Sequence, residues 1–452
     1  MSLFRTESIP SDVLGLCAEL GLHGFRAWVV GGCVRDVLRG GTPLDWDLCT
    51  DAKPDEMMRV FPRAIPTGIA HGTVTVVRNK QHYEITTLRH EVGFSDGRRP
   101  DAVHFVDNIE LDLARRDFTI NAMAVDPTNG ALVDPFGGVA DLRAGVIRAV
   151  GNASERFAED GLRVLRAARF AARFAFTLEP STEHAIEGSL GSYAKVSGER
   201  VRDEWAKTLK AERPSIGFEL MRRTGILGVT CPELMESVGC TQNKHHDYDV
   251  WGHAMACMDA APGADVTLRL AALLHDVGKP RSKAWSDAKS DYTFYDHDRI
   301  GAEMVAPICM RLKLSNDERE RVTELVRHHM WHYDDWGDAA VRRWLRKVGK
   351  NRVEDLLALR DADVRGKGPT RSFADDDART AAFRAHIERV MAEGVAFGIK
   401  DLKIGGRELM GGLGLKPGPQ LGVLLEKLLE EVIAEPALND PARLLARARE
   451  LA

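Results

Sequence analysis

The hydrophobic pattern of this chain changes near residue 150, and this change limits the folds that the chain can adopt. Upstream, helical spacing over 12–24 is followed by short runs rich in Val, Ile, Thr and aromatic residues, which favour strands. These runs lie at 27–32, 45–50, 72–79 and 82–89. From Glu155 onward apolar residues recur at helical spacing, over 155–174, 199–213, 216–226, 251–261, 266–278 and 299–312. The pattern predicts an α/β head with a small mixed sheet and helices, followed by an all-α remainder.

Chain length and sequence breaks predict several domains. At about 150 residues per domain, 452 residues suggest about three hydrophobic cores. Segments that gather glycine, proline or polar residues mark breaks near residue 151, at 239–249 and at 366–371. We therefore expect four parts: a head over 1–150, a helical neck and body over 151–240, a third module over 241–370 and a helical tail over 371–452.

Composition excludes several classes of protein. The net charge is −5, from 62 basic and 67 acidic residues, so a nucleic acid would have to bind through local basic residues. Seven cysteines without a C-x-x-C pair argue against a disulfide framework or a thiolate zinc site and favour a reducing compartment. No apolar run approaches a membrane span or a signal peptide, which predicts a cytoplasmic protein without a membrane partner.

A glycine loop followed by paired carboxylates is the most informative motif. Gly31 and Gly32 allow the backbone to approach a triphosphate closely, and Arg35 offers a bidentate contact to it. Asp45 and Asp47 then lie two residues apart in a predicted strand, so both side chains point to one face. Each pattern alone is more often a turn or a solvated strand end, but their order and closeness favour a functional site.

Paired carboxylates repel each other unless a cation lies between them, and hard oxygen ligands suit Mg²⁺. Glu84, in the strand-like run at 82–89, is a candidate third carboxylate. A site of this kind can hold two metals, one activating an attacking hydroxyl and the other stabilising the leaving oxygen during phosphoryl transfer. The sequence therefore predicts Asp45, Asp47 and Glu84 as catalytic magnesium ligands.

These motifs resemble a known family. The segments at 29–40 and 45–50 resemble the head-domain signature of the class II tRNA nucleotidyltransferases and the closely similar bacterial poly(A) polymerases, within the polymerase-β-like superfamily. Further resemblances follow in the family's order: 112–124 the ribose-recognition motif, 134–151 the link from head to neck, 159–174 the helix that selects the incoming base, and then 197–205. The resemblance covers at least residues 26–230.

The resemblance assigns roles to polar residues in these motifs. By similarity, Arg116 contacts the nucleotide, and Asp117 with Asn121 shapes the ribose pocket. At i and i+3 of a predicted helix, Asp160 and Arg163 would share a face and present an acceptor and donors to one base, as cytosine and adenine require.

The same predicted helix continues with a basic stripe. Arg166 and Arg169 resemble the family's contacts to triphosphate or RNA backbone. Without the head motifs, a solvated basic face would be the better interpretation of this stripe. Gly161 stands where the family commonly has proline.

A second constellation of potential ligands lies in the third module. The adjacent pair His275 and Asp276 ends an apolar helical segment, and the other candidates are distributed over successive helices: His253, His297, His328, His329 and Asp361. So many such groups fit a divalent-metal cluster better than core histidines. The set resembles the HD phosphohydrolase domain, which implies a transition metal such as Mn, Ni or Fe and hydrolysis of a phosphate ester. An RNA-binding or structural domain is the alternative.

Together the motifs predict a template-independent RNA polymerase that adds CCA to the 3′ end of tRNA. Its substrates would be CTP and ATP, and it would release pyrophosphate. The alternatives are an enzyme that adds only CC or only A, a poly(A) polymerase, or chiefly an HD phosphohydrolase. The intact carboxylate trio argues against the last of these. Both a monomer and a homodimer agree with the sequence.

Overall fold

A computed structural model divides the chain into two compact units, Met1–Met235 and Glu236–Ala452. The structure describes residues 4–94, 97, 100–244, 246–331, 333, 335–368, 372–393 and 398–452. Each unit has its own secondary structure and its own buried side chains, so each is described separately.

The first unit is built around a seven-stranded mixed sheet with the strand order β3-β4-β5-β2-β1-β8-β9. The strands of this unit are β1 Ala27–Val30, β2 Asp47–Thr50, β3 Ala64–Gly68, β4 Thr73–Arg78, β5 Gln81–Thr87, β6 Arg89–Val92, β7 Ala102–Phe105, β8 Ala124–Val125, β9 Leu132–Val133, β10 Val146–Ile147 and β11 Thr177–Leu178. Each of the four predicted runs overlaps one of these strands, namely β1, β2, β4 and β5.

Alternating side chains of the sheet belong to two hydrophobic clusters. Val29 of β1 packs in one cluster with Leu48 and Ile85, whereas Trp28 and Val30 belong to the other. This alternation follows from the period of two along a strand. Apolar side chains therefore cover both faces of the sheet. The polar groups that can form a site lie at the ends of the strands.

Helices fill the rest of the first unit. They are α1 Ser11–Leu22, α2 Gly32–Leu38, α3 Pro54–Val60, α4 Ile109–Ala114, α5 Gly138–Ala144, α6 Ala153–Glu159, α7 Leu162–Phe174, α8 Pro180–Tyr193, α9 Gly198–Leu209, α10 Ser215–Arg223, α11 Ile226–Thr230 and α12 Pro232–Met235. The continuous helix predicted over 155–174 is wrong, because the chain breaks between α6 and α7. Asp160 is extended there, with φ −147° and ψ 107°.

The second unit is predominantly helical. Its helices are α13 Val250–Ala260, α14 Val266–Leu274, α15 Lys279–Ser282, α16 His297–Arg311, α17 Asn316–His328, α18 Asp338–Val348, α19 Val353–Gly366, α20 Ala374–Ala392, α21 Gly406–Leu413, α22 Pro419–Ala434 and α23 Pro441–Leu451. A short antiparallel hairpin of β12 Ala284–Ser286 and β13 Asp291–Thr293 interrupts them. The tail has a cluster of its own, in which Leu409, Leu428 and Leu444 are buried.

The predicted fold class is confirmed: a mixed sheet with helices in the head and a mostly helical remainder. The small strands β11 to β13 are the exceptions to an all-α remainder. All seven cysteines are free thiols. Among the described residues, the structure contains no helix with the length and apolar character that a membrane crossing requires.

Candidate active site

The glycine loop follows strand β1 and lies beside the first carboxylate. Gly31 has a φ of 77°, which residues with a side chain rarely adopt. A Cβ atom there would also lie 2.6 Å from Nη1 of Arg116. Val30 pairs with Asp47 across β1 and β2, so Asp47 begins its strand next to the loop. The fold therefore brings Gly31, Arg116 and Asp47 to one place.

The three predicted metal-binding carboxylates line one pocket of about 910 Å³. Leu48 pairs with Ile85 in parallel register, so Asp47 and Glu84, each one residue earlier, are neighbours on one face. Asp45 lies just before β2 and is exposed. The three do not converge tightly: among the described residues, the groups of ligand atoms that all lie within 4.8 Å of one another are found in the second unit.

The surroundings of Asp47 oppose its negative charge. Desolvation by the surrounding protein raises the pKa of Asp47, Arg116 opposes this effect, and the carboxylates of Glu84 and Asp45 raise the pKa further. A divalent cation would relieve the repulsion among these groups, and their hard oxygen donors are those that Mg²⁺ prefers. The donor set therefore fits the predicted magnesium.

All ten residues predicted to bind the nucleotide line a second pocket, of about 480 Å³, together with Asp47. They are Gly31, Gly32, Arg35, Arg116, Asp117, Asn121, Asp160, Arg163, Arg166 and Arg169. Three arginines that the sequence did not single out for this pocket, Arg115, Arg173 and Arg200, also line it. Eight arginines thus face three aspartates, which favours a ligand with several negative charges such as a triphosphate.

Asp117 organises the centre of this pocket. Its Oδ2 accepts hydrogen bonds from Nε and Nη2 of Arg166 at 2.8 and 2.5 Å, and its Oδ1 accepts one from Nδ2 of Asn121 at 3.0 Å. Burial opposes the charge on Asp117, but Arg166 and the hydrogen bonds lower its pKa to about 2. Asp117 is therefore a fixed anion that orients both Arg166 and Asn121.

The expectation that Asp160 and Arg163 share one face of a helix is wrong, because α7 begins only at Leu162. Asp160 instead accepts a hydrogen bond from the backbone N–H of Leu162 at 3.0 Å and two from Arg200 at 3.1 and 2.7 Å. Arg163 donates to Glu159 at 2.5 Å. Both residues line the pocket, but each is engaged with a protein partner.

Two predicted nucleotide-binding arginines are largely buried. Arg169 lies 2.6 Å from Glu204, and burial lowers its pKa to about 10. Arg35 donates hydrogen bonds to Asp36 and Asn121, and its guanidinium carbon lies 4.7 Å from the ring centre of Phe174. Both arginines form part of the pocket wall. Arg35 connects the head to α7 through Phe174, whereas Arg169 connects α7 to α9 through Glu204.

The second unit brings most of its predicted ligands into one buried cluster. Two groups have ligand atoms that all lie within 4.8 Å of one another and could hold a metal ion: His253, Cys257, His275 and Asp363, and Asp276, His297 and His329. Within the first group, Nε2 of His253 lies 3.2 Å from Nε2 of His275. Within the second, Nε2 of His297 lies 3.1 Å from Nε2 of His329.

Asp276 connects the two groups. Its Oδ2 lies 3.3 Å from Nε2 of His253 and 3.1 Å from Nε2 of His275, and its Oδ1 lies 3.4 Å from Nε2 of His297. Burial opposes the charge on Asp276, yet His275 and Lys279 hold its pKa well below the usual range. A buried anionic carboxylate between imidazoles is a donor set suited to divalent transition metals.

Two predicted ligands lie outside this cluster. The structure places Asp363, and not Asp361, beside His253, with Oδ1 of Asp363 3.1 Å from Nε2. Asp361 interacts instead with Arg365 and Arg384. His328 lies one residue before the clustered His329 and does not contribute to either group.

Sequence reasoning missed Asp363 and Cys257, although helical spacing contained a signal for both. Asp363 follows Leu356 by seven and Leu359 by four residues, and both leucines are buried. Cys257 follows His253 by four residues and therefore lies on the same face of α13. A requirement that ligands lie on the buried face of a helix would have selected Cys257 and would have added Asp363 to the candidates beside Asp361, which follows the buried Leu357 by four residues.

Comparisons with known proteins agree with this arrangement. Three family profiles match the chain in order: Poly A polymerase head domain over residues 27–148, probable RNA and SrmB-binding site of polymerase A over 175–237, and HD domain over 245–364. Together they cover the glycine loop, helices α8 to α12 and the histidine–aspartate cluster.

Relatives and solved structures extend the likeness over the whole chain. A CCA-adding enzyme of Lactobacillus johnsonii is 47% identical over 226 residues, which is 50% of this chain and 56% of that protein, so this match spans about half of each. The crystal structure of the Bacillus stearothermophilus CCA-adding enzyme in complex with CTP has a TM-score of 0.73 and 27% identity, covering 97% of this chain and 96% of that chain.

A CCA-adding enzyme of Lactobacillus delbrueckii subsp. bulgaricus is 33% identical over 444 residues, which is 98% of both proteins. The predicted resemblance is thereby confirmed. With this identity over nearly the full length of a relative, the chain belongs to the family of CCA-adding enzymes.

Proposed function

We propose that this protein adds CCA to the 3′ end of tRNA, using CTP and ATP and releasing pyrophosphate. One observation carries the proposal: Asp47 lines both the arginine-rich pocket and the carboxylate-lined pocket. A nucleoside triphosphate in the first pocket would have its phosphates near Asp47, and a 3′ hydroxyl would enter from the second. The two reactants of a nucleotidyl transfer would thus meet at one carboxylate.

Different residues of the chain would have different roles in the reaction. Arg116 and the backbone of Gly31 and Gly32 would hold the triphosphate, and the Asp117–Asn121 pair would orient the ribose. Asp45, Asp47 and Glu84 would hold Mg²⁺, which would increase the nucleophilicity of the 3′ hydroxyl and neutralise charge on the leaving pyrophosphate. The membership of the family implies dependence on a divalent metal.

Base selection would require an exchange of partners. Asp160 is bound to Arg200 and Arg163 to Glu159. An incoming cytosine or adenine offers an exocyclic amino donor beside a ring acceptor. The donor could replace Arg200 as the partner of Asp160, and the acceptor could replace Glu159 as the partner of Arg163. We propose that Asp160 and Arg163 read the base in this way, without a nucleic-acid template.

The histidine–aspartate cluster supports a second activity. Its ligand groups would bind a transition metal such as Mn, Ni or Fe, which would activate water towards a phosphate ester. We assign this role to an HD domain within 241–370. The proposed division of the rest of the chain is a head over 1–150, a helical neck and body over 151–240, and a helical tail over 371–452. We expect the protein to act in the cytoplasm as a monomer or homodimer.

One experiment tests the main proposal. Purified protein is incubated with tRNA that lacks its terminal CCA, with Mg²⁺ and labelled CTP, ATP or both, and the products are sized. We expect three added residues when both nucleotides are present. Addition that stops after two C residues would identify a partial enzyme, long A tracts would identify a poly(A) polymerase, and no addition would overturn the proposal.

A pair of variants tests whether nucleotide addition requires the carboxylates of Asp45, Asp47 and Glu84. Asp45→Ala should abolish addition, because it removes a ligand from the pocket that Asp47 and Glu84 share. Asp55→Ala is the matched control, since Asp55 is an exposed carboxylate of the same unit outside both pockets. Equal activity of the two variants would count against the assigned site.

A further inference from the structure

A β-hairpin of the second unit exposes aromatic side chains that the preceding proposals do not use. The exposed fraction is 57% for Trp285 on β12, 36% for Tyr292 on β13 and 67% for Tyr295 just after it. Trp285 pairs with Tyr292 across the hairpin, and their ring centres lie 5.2 Å apart at an interplanar angle of 81°. Three exposed rings on and just after one short hairpin form an aromatic patch, and such patches mark interaction sites.

Lysines accompany these rings. Nζ of Lys283 lies 4.0 Å from the ring centre of Tyr292, and Nζ of Lys289 lies 5.3 Å from that of Tyr295. Aromatic rings interleaved with cations are the composition of surfaces that bind single-stranded nucleic acids, because every base can stack on a ring while the phosphates contact the cations. The hairpin combines both elements within thirteen residues, Lys283 to Tyr295.

The hairpin forms one wall of the pocket above the histidine–aspartate cluster. This pocket has a volume of about 670 Å³, and Tyr292 and Tyr295 line it together with Asp276 and His297. Five basic residues also line it: Lys244, Lys279, Lys289, Arg360 and Lys367. They face three aspartates, two of which belong to the cluster, so the charge favours a ligand with phosphate groups.

We propose that the hairpin binds a single-stranded RNA end, with one base on Tyr292 or Tyr295 inside the pocket and the next base on Trp285. RNA is favoured over a free nucleotide because Trp285 and Lys283 lie outside the pocket lining and extend the surface beyond the space of one nucleotide. The choice of RNA over DNA rests on the proposed function. The hairpin would present a phosphate of the strand to the metal-binding cluster.

Site-specific cross-linking tests this proposal. The full-length protein is titrated with a thiouridine-containing hexaribonucleotide without added metal, irradiated, and digested, and RNA-linked peptides are identified by mass spectrometry. The RNA concentration that gives half-maximal cross-linking to residues 283–295 is the readout, because RNA bound to the other unit does not contribute to it. We expect cross-links within this segment.

Variants define the contribution of each ring. Trp285→Ala and Tyr292→Ala should each raise the half-maximal RNA concentration about 5- to 150-fold, the effect of losing one stacked base. Trp285→Phe and Tyr292→Phe keep a ring and should stay within about 3-fold of the wild type. Tyr248→Ala is the matched control, since Tyr248 is 38% exposed and does not line the pocket.

Three outcomes would overturn the proposal. The first is the absence of cross-links to the hairpin, and the second is a half-maximal RNA concentration of the alanine variants that matches that of Tyr248→Ala. The third is that AMP displaces the bound RNA as effectively as unlabelled hexaribonucleotide does, while Trp285→Ala leaves the half-maximal RNA concentration unchanged. The last would identify a mononucleotide pocket. CCA addition by the same preparations is measured in parallel, so a wild type that cross-links but adds no nucleotide would overturn only the proposed function.

Discussion

Asp117 makes the nucleotide pocket sensitive to acid. Its folded-state pKa of about 2 lies below the ordinary value of 3.8, so the group contributes stability above about pH 4. This contribution is lost as the pH falls from about 4 through about 2, and it amounts to about 2 kcal/mol. Asp117→Asn should therefore lower the free energy of unfolding at pH 7.

Urea unfolding of the wild type and of Asp117→Asn at several pH values measures this difference. We expect the difference in unfolding free energy to shrink by about 2 kcal/mol between pH 7 and pH 2. A difference that is independent of pH would show that Asp117 acts through its shape and hydrogen bonds with Asn121, and not through its charge.

Asp363 and Asp361 provide a matched pair of variants, two residues apart on α19. Asp363→Asn should weaken Mn²⁺ binding at least about 10-fold, because Asp363 lies 3.1 Å from His253 in the first ligand group. Asp361→Asn should leave Mn²⁺ binding unchanged. Metal content after equilibrium dialysis checks both expectations, and equal losses in the two variants would contradict the arrangement of the cluster.

These residues also show how far sequence alone predicts a site. Asp45 and Asp47 are predicted from the period of a strand and Glu84 from the strand-like run that contains it, and the register of β2 and β5 then brings the three into one pocket. Asp363 was missed because several acidic residues follow one another on α19, and only tertiary packing selects the one that faces His253. Ion pairs such as Asp160 with Arg200 connect distant segments and leave no local signal.

At the scale of secondary structure, Gly161 lies at the break between α6 and α7 and packs closely against α8. A Cβ atom at Gly161 would lie 2.5 Å from the carbonyl oxygen of Ser192 and 2.8 Å from the backbone nitrogen of Tyr193. These are backbone atoms of α8, so they cannot move aside as the end of a side chain can. We expect Gly161→Ala to destabilise the protein by about 1–3 kcal/mol.

Thermal unfolding of Gly161→Ala and of a control on α8 checks this expectation. Gly191→Ala is the control, since a Cβ atom at Gly191 meets nothing within 4 Å. A helical alanine there should leave stability unchanged or raise it by up to about 1 kcal/mol. Equal stability of the two variants would show that α7 and α8 separate easily, and that Gly161 does not fix the position of Asp160.

The hairpin β12–β13 shows why short elements escape prediction. Each strand has three residues, which is too few for an alternating pattern to emerge. The pairing of Trp285 with Tyr292 exists only once the two strands meet. By contrast, the long helices α13 and α16 carry enough turns for their buried faces to be recognised, and both were predicted within a few residues.

At the scale of the whole molecule, the two candidate sites lie in two compact units with separate hydrophobic cores. We therefore expect the two sites to be separable by mutation. Asp47→Ala should abolish nucleotide addition and leave Mn²⁺ protection of the second unit intact. His275→Ala should remove that protection and leave nucleotide addition intact, because His275 belongs to the first ligand group of the cluster.

Hydrogen exchange measures the protection, because binding to the folded state alone stabilises it by RT ln(1 + [L]/Kd). At free Mn²⁺ equal to about 100 times Kd, this stabilisation is about 2.7 kcal/mol, or about 100-fold slower exchange of amides that open only by unfolding of the second unit. Peptides from α13 and α14 carry His253 and flank His275, whereas peptides from β1 and β5 report on the first unit. Loss of addition and of protection together, in either variant, would contradict two independent sites, because each substitution removes a group that only one site contains.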